Sequence, residues 1–249
     1  MAGHNKWSSI KHKKAATDAK RGKLYTRITK EIILAAKLGG GDPDTNPRLR
    51  TAMLAARGAN MPRDNIERAI KRGTGDLEGV SYEEITYEGY GHNGVGIVVE
   101  TMTDNKNRTV SEIRHMFSKF GGNLAETGAV SWNFDLKGYF QVPREGKDEE
   151  EFFMEALEAG ADDVVTEEEY FEIYTAPGEF HTVLSSFEAA GYQVEEATLT
   201  RVPKNTINAD DVAEKLLKLI DMLEDLDDVQ KVYANFELSD EVMERLAAE

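Results

Sequence analysis

Residues 138–202 read GYFQVPREGKDEEEFFMEALEAGADDVVTEEEYFEIYTAPGEFHTVLSSFEAAGYQVEEATLTRV, and the order of elements in this stretch decides the fold. Apolar and aromatic residues in short runs predict strands at 139–142, 163–166, 170–175 and 192–202. Helical spacing predicts helices at 148–159 and 178–190. The resulting β-α-β-β-α-β order is the ferredoxin-like arrangement. Upstream, 95–103 reads as a strand, and Thr109-Val110-Ser111-Glu112 reads as a capping box opening a helix whose face is Val110, Ile113, Phe117 and Phe120. A hairpin is expected next, with strands at 123–126 and 130–134 around a Thr127-Gly128 turn. Downstream come a helix over 209–225, with Val212, Leu216, Leu219, Ile220 and Leu223 on one face, and a strand over 229–236. The series left unfinished at 136 needs one helix and one strand, which the carboxyl end supplies.

The first seventy residues are different in kind. Leu24, Ile28, Ile32 and Ala35 recur at helical spacing until Gly39-Gly40-Gly41, and Asn46-Pro47 offers a cap with proline at the first helical position. Leu49, Ala52, Met53 and Ala56 mark the buried face of a second helix. Pro62 opens a third, carrying Ile66, Ala69 and Ile70. The expectation is an α+β protein of three domains: a basic helical bundle over 1–77, then two ferredoxin-like α/β sandwiches, with the third domain, 138–204, inserted into the second, 78–137 with 205–249.

Charge is divided unevenly along the chain. The total is −16, but residues 1–72 hold seventeen Lys and Arg against six Asp and Glu, a net of +11, which leaves −27 on the remainder. Attraction to phosphate depends on the field within a Debye length of about 8 Å, so a local excess matters more than the total. On a helix over 20–37, Lys20, Lys23, Arg27, Lys30 and Lys37 fall opposite the apolar stripe. Lys6, Lys11, Lys13, Lys14 and Arg21 extend that row. Arg48, Arg50, Arg57, Arg63, Arg68, Lys71 and Arg72 add charge from the other two helices. Trp7, beside Lys6 and near His12, either stacks on a base or caps the bundle. This row suits a phosphate backbone.

Other chemistry finds little support. Gly89-Tyr90-Gly91-His92-Asn93-Gly94 has the spacing of a dinucleotide fingerprint, but a β run follows where a helix is required, so it reads as a hairpin turn at Asn93-Gly94. The five histidines are scattered, there is no cysteine, and no G-x-S-x-G elbow occurs. The runs Asp148-Glu149-Glu150-Glu151 and Glu167-Glu168-Glu169 read as solvated faces or first helical turns. No enzyme, cofactor or metal site is expected. The apolar runs are too short to span a bilayer, and a cytoplasmic protein is expected.

The opening Met-Ala-Gly-His-Asn-Lys-Trp-Ser-Ser-Ile, the run from Lys13 to Lys23, Asn46-Pro47-Arg48-Leu49-Arg50, Asn60-Met61-Pro62-Arg63-Asp64-Asn65-Ile66, Tyr87-Glu88-Gly89-Tyr90-Gly91 and Asp228-Val229-Gln230-Lys231-Val232-Tyr233 resemble the YebC family over essentially the whole chain. Asn5 and Ala234 are small departures. The resemblance implies a three-domain protein of bacteria or organelles, assigned as a DNA-binding transcriptional regulator, with relatives that act in translation on ribosomes. The expected site is therefore Lys6, Trp7, Lys11, His12, Lys13, Lys14, Lys20, Arg21, Lys23, Arg27, Lys30, Arg48, Arg50, Arg63 and Arg68, with DNA, or RNA on the ribosome, as partner. A metabolite sensor and a scaffold for a basic protein are the competing classes.

Overall fold

A computed structural model describes residues 18–248, with side chains described from 21 to 246. Among the described residues three helices come first: α1 (Asp18–Gly39), α2 (Pro47–Gly58) and α3 (Arg63–Thr74). Ile28, Ile32, Ala35, Leu49, Ala52, Ala56, Ile66 and Ala69 form their core. The α1–α2 corner depends on Asn46. Its buried Oδ1 accepts the Leu49 N–H (3.1 Å), and its Nδ2 donates to the Ala35 and Gly40 carbonyls (both 2.8 Å). The cap and the corner are thus one side chain, and Gly39 leaves room for it, since a Cβ there would lie 2.7 Å from Asn46 Nδ2. Asn46→Ala removes a cap and strands a buried carbonyl, so a loss of about 2 kcal/mol in urea unfolding is expected.

The second domain holds β1 (Glu83–Tyr90), β2 (Gly96–Thr103), α4 (Lys106–Lys119) and β3 (Asn123–Leu124). It resumes after the insertion with β8 (Ile207–Asn208), α7 (Ala213–Glu224), β9 (Val229–Ala234), β10 (Phe236–Glu237) and α8 (Asp240–Ala248). Its sheet runs β3-β1-β2-β9 with antiparallel neighbours, and β8 and β10 form a small parallel pair. Helices α4 and α7 cover the sheet, with Ile97, Val99, Ile113, Phe117, Leu216, Leu219, Ile220, Leu223 and Val232 between the layers. The β1–β2 hairpin turns through His92–Gly94, with Asn93 and Gly94 at positive φ, as the letters at 93–94 suggest.

Two local readings are corrected. The expected hairpin at 123–134 is absent: β3 pairs with β1, 131–133 is a short 3-10 turn, and the strand beginning at Phe134 belongs to the inserted domain. The helix expected to open at Thr109 starts earlier, capped by Asn105, whose Oδ1 accepts the Arg108 N–H at 3.1 Å. Thr109 lies inside the helix with its hydroxyl buried.

Residues 134–202 form a compact unit of their own, and the described residues before and after them form the other. The inserted unit contains β4 (Phe134–Pro143), α5 (Glu149–Glu158), β5 (Asp163–Thr166), β6 (Tyr170–Thr175), α6 (Phe180–Ala189) and β7 (Glu196–Pro203). Its strand order is β5-β6-β4-β7, that of the ferredoxin-like fold. Phe140, Phe152, Phe171, Phe180 and Phe187 fill its core, the Phe152 and Phe171 rings stacked at 4.2 Å. Alternation turns Tyr139, Glu172 and Tyr174 to the opposite face, where both tyrosine hydroxyls donate to the buried Glu172 carboxylate at 2.9 Å. Burial pushes that carboxyl up against the opposing effect of these bonds.

Candidate nucleic-acid interface

The positive charge of the helical domain divides between cations used internally and cations left at the surface. Lys30 belongs to the first group. It is 7% exposed and reaches Asp228 Oδ1 (2.8 Å), the Asp227 carbonyl (2.9 Å) and the Met102 carbonyl (3.2 Å). The Asp228 carboxylate, 3% exposed, is shared further with Arg108 (2.7 Å) and the hydroxyls of Thr109 (2.8 Å) and Thr103 (3.1 Å). Burial pushes the Asp228 carboxyl up, but the hydrogen bonds from Arg108, Lys30 and Thr109 outweigh it and hold it down at about 2. One turn and two turns earlier on α1, Arg27 donates to the Glu224 carbonyl and Lys23 pairs with Asp225 at 2.8 Å. Burial lowers the Arg27 guanidinium against the pull of Glu224, Asp225 and Asp227.

These contacts bury Lys30 and partly bury Arg27, both expected at the surface, while Lys23 keeps partial exposure in its pair with Asp225. Helix α1 has two occupied faces, one against α2 and α3 and one against the acidic α7–β9 turn at 224–228. Leu24, expected in the apolar stripe, is correspondingly 44% exposed. Arg48 also turns inward, bridging Glu31 and Glu84 at 2.6 Å each, and these bonds raise its guanidinium further. Lys37 donates to Ser81 Oγ at 2.7 Å.

The second group lies on α2 and α3. Arg50, Arg57, Arg63, Arg68, Lys71 and Arg72 are exposed. Arg50 donates to the Pro43 and Asp44 carbonyls, Arg63 to Glu67, and Arg68 to Asn65 and the Asp64 carbonyl, all from the surface. On α3, Ile66 and Ala69 are buried, leaving four cations and two acids, Asp64 and Glu67, on the outer face. Arg21 is exposed on α1. Lys6, Trp7, Lys11, His12, Lys13 and Lys14 lie outside the described residues, as does the side chain of Lys20.

Among the described residues, no group of three or more His, Asp or Glu side chains could hold a metal ion, and no helix is long and apolar enough to cross a membrane. In the sequence Asp228 stands out only as the first residue of the motif Asp228–Tyr233, because a run of acids carries no local sign of which member is buried.

Fold and charge together define a class: a three-domain α+β protein with a basic helical domain latched onto an acidic α/β sandwich that carries a second sandwich as an insertion. The chain matches the family models described as the TACO1/YebC protein N-terminal domain over residues 5–76 and the TACO1/YebC second and third domain over residues 82–236. It belongs to the TACO1/YebC family. Among its relatives, a "Probable transcriptional regulatory protein" of Persephonella marina is 58% identical over 250 residues, covering 99% of this chain and 100% of that one. Another of the same description, from Acidithiobacillus ferrooxidans, is 58% identical over 249 residues, covering 100% and 99%. The crystal structure of a conserved hypothetical protein from Aquifex aeolicus superimposes with a TM-score of 0.84 at 52% identity, over 93% of this chain and 96% of that one.

Proposed function

We propose that the protein is a non-enzymatic regulator of gene expression that binds nucleic acid by its phosphate backbone through the helical domain. The observation that carries this reading is the division of charge: after Lys23, Arg27, Lys30 and Arg48 are engaged within the fold, α2 and α3 still present Arg50, Arg57, Arg63, Arg68, Lys71 and Arg72 at the surface. The names of the relatives, which describe transcriptional regulators, support duplex DNA as the target. Exposed cations of this kind can meet phosphate oxygens along a duplex, contacts that fix position without reading sequence. The same chemistry fits structured RNA, which makes a translational role the second reading.

Titrating the full chain with duplex DNA, structured RNA and ribosomes over a salt series tests both. With roughly six phosphates engaged, log K against log salt is expected to slope at about −5 on duplex, and affinity to fall about a thousandfold between 50 and 200 mM salt. Higher affinity for structured RNA or ribosomes would select the translational reading. Binding to none of the three would remove the proposal.

A further inference from the structure

Trp132 is among the most exposed of the described large apolar side chains, at 65%, and it stands on a loop that the fold holds rigidly. The buried Glu88 carboxylate accepts three backbone N–H groups of that loop, from Gly128 (2.7 Å), Val130 (2.6 Å) and Ser131 (2.8 Å). The Tyr90 hydroxyl donates to the Ala129 carbonyl at 3.0 Å. Val130 is buried over Gly96, where a Cβ would collide with it. At the far end, Asn133 is buried, its side chain bonded to Asn205 through both oxygen and nitrogen.

The indole itself is fixed. Its N–H donates to the Ala129 carbonyl three residues back, at 3.0 Å. With the one polar atom of the ring satisfied internally, what Trp132 offers to solvent is apolar ring face. A ligand that uses it must be flat and must bind by stacking. The exposed Lys204, on the segment that follows β7, donates from its ammonium to the Trp132 carbonyl at 3.1 Å, which brings a positive charge to the backbone of the same residue. Stacking surface next to a cation is the combination that holds an unpaired nucleotide: base on ring, phosphate toward ammonium.

We propose that Trp132 is a stacking platform for an unpaired base of single-stranded nucleic acid, in the second domain and separate from the helical-domain interface. The inference rests on the nucleic-acid reading above and adds to it a contact that duplex, whose bases are stacked on one another, does not make.

The test uses the full chain and two probes, an oligouridylate and a duplex of random sequence. In Trp7→Phe, where Trp132 is the remaining tryptophan, saturation with oligouridylate is expected to quench the fluorescence. Trp132→Ala is expected to weaken oligouridylate binding about tenfold and leave duplex binding unchanged, while Trp132→Tyr retains most of the affinity. Because the side chain is exposed, unchanged urea unfolding of both variants confirms that the fold is kept. Saturable oligouridylate binding without quenching, or with equal affinity in Trp132→Ala, would overturn the platform and leave the helical-domain interface standing. Binding of duplex but not of oligouridylate would do the same. Failure of the chain to bind either probe would remove both.

Discussion

Replacing Asp228 by alanine is expected to destabilise the protein by about 3–5 kcal/mol, because it strands the buried Lys30 ammonium and removes the acceptor shared by Arg108, Thr103 and Thr109. Lys30→Met is expected to cost less. Asp228 then keeps Arg108 and both hydroxyls, and a methionine of similar length fills the space. Urea midpoints of the two variants against the parent measure the difference, and equal losses would mean that the carboxylate is not the centre of the cluster.

The same group predicts the acid response. Its folded pKa, about 2, lies below the unfolded value of about 3.9, so its contribution is fully present above pH 4 and is lost as pH falls through 2. The separation corresponds to about 2.5 kcal/mol at neutral pH. The stability gap between the parent and Asp228→Ala should therefore be constant from pH 7 to 5 and narrow between pH 4 and 2. Because Lys30 and Asp228 are both buried, the gap at neutral pH should change little with salt.

The second large effect concerns binding. Arg63, Arg68 and Arg72 are exposed on one helix, so changing all three to glutamate should leave the bundle folded. If each contacts one phosphate, losing three contacts lowers affinity about 500-fold at 0.1 M salt and reduces the salt slope on duplex from about −5 to about −3. Charge reversal adds repulsion to that loss. Lys30→Glu is not an equivalent probe, since it would bury a second carboxylate against Asp228 and unfold the junction before reporting on phosphate. Unchanged affinity and slope in the triple variant would move the interface away from α3.

The contrast between Arg63 and Lys30 shows how much of the site was legible in the chain. Both are basic residues on the outer side of amphipathic helices, and helical spacing treats them alike. What separates them is a carboxylate 198 residues from Lys30, brought to it by the return of the chain through α7 and β9.

What the sequence determined by itself follows from short-range physics. Periods of 3.6 and 2 marked the helices and strands of the inserted domain, an Asn-Pro pair marked the start of α2, and Asn93-Gly94 marked a turn, because each signal acts within a few residues. The division of charge was equally plain, since it needs only counting. Tertiary structure decided what depends on distant partners: β1, whose Glu83-Glu84 opening hides a strand that β2 and β3 hold from either side; the place of Phe134, which joins the inserted sheet; the burial of Lys30; and the exposure of Trp132. Strand pairing and buried ion pairs draw their free energy from groups far apart along the chain, so neither leaves a pattern in the residues next to them.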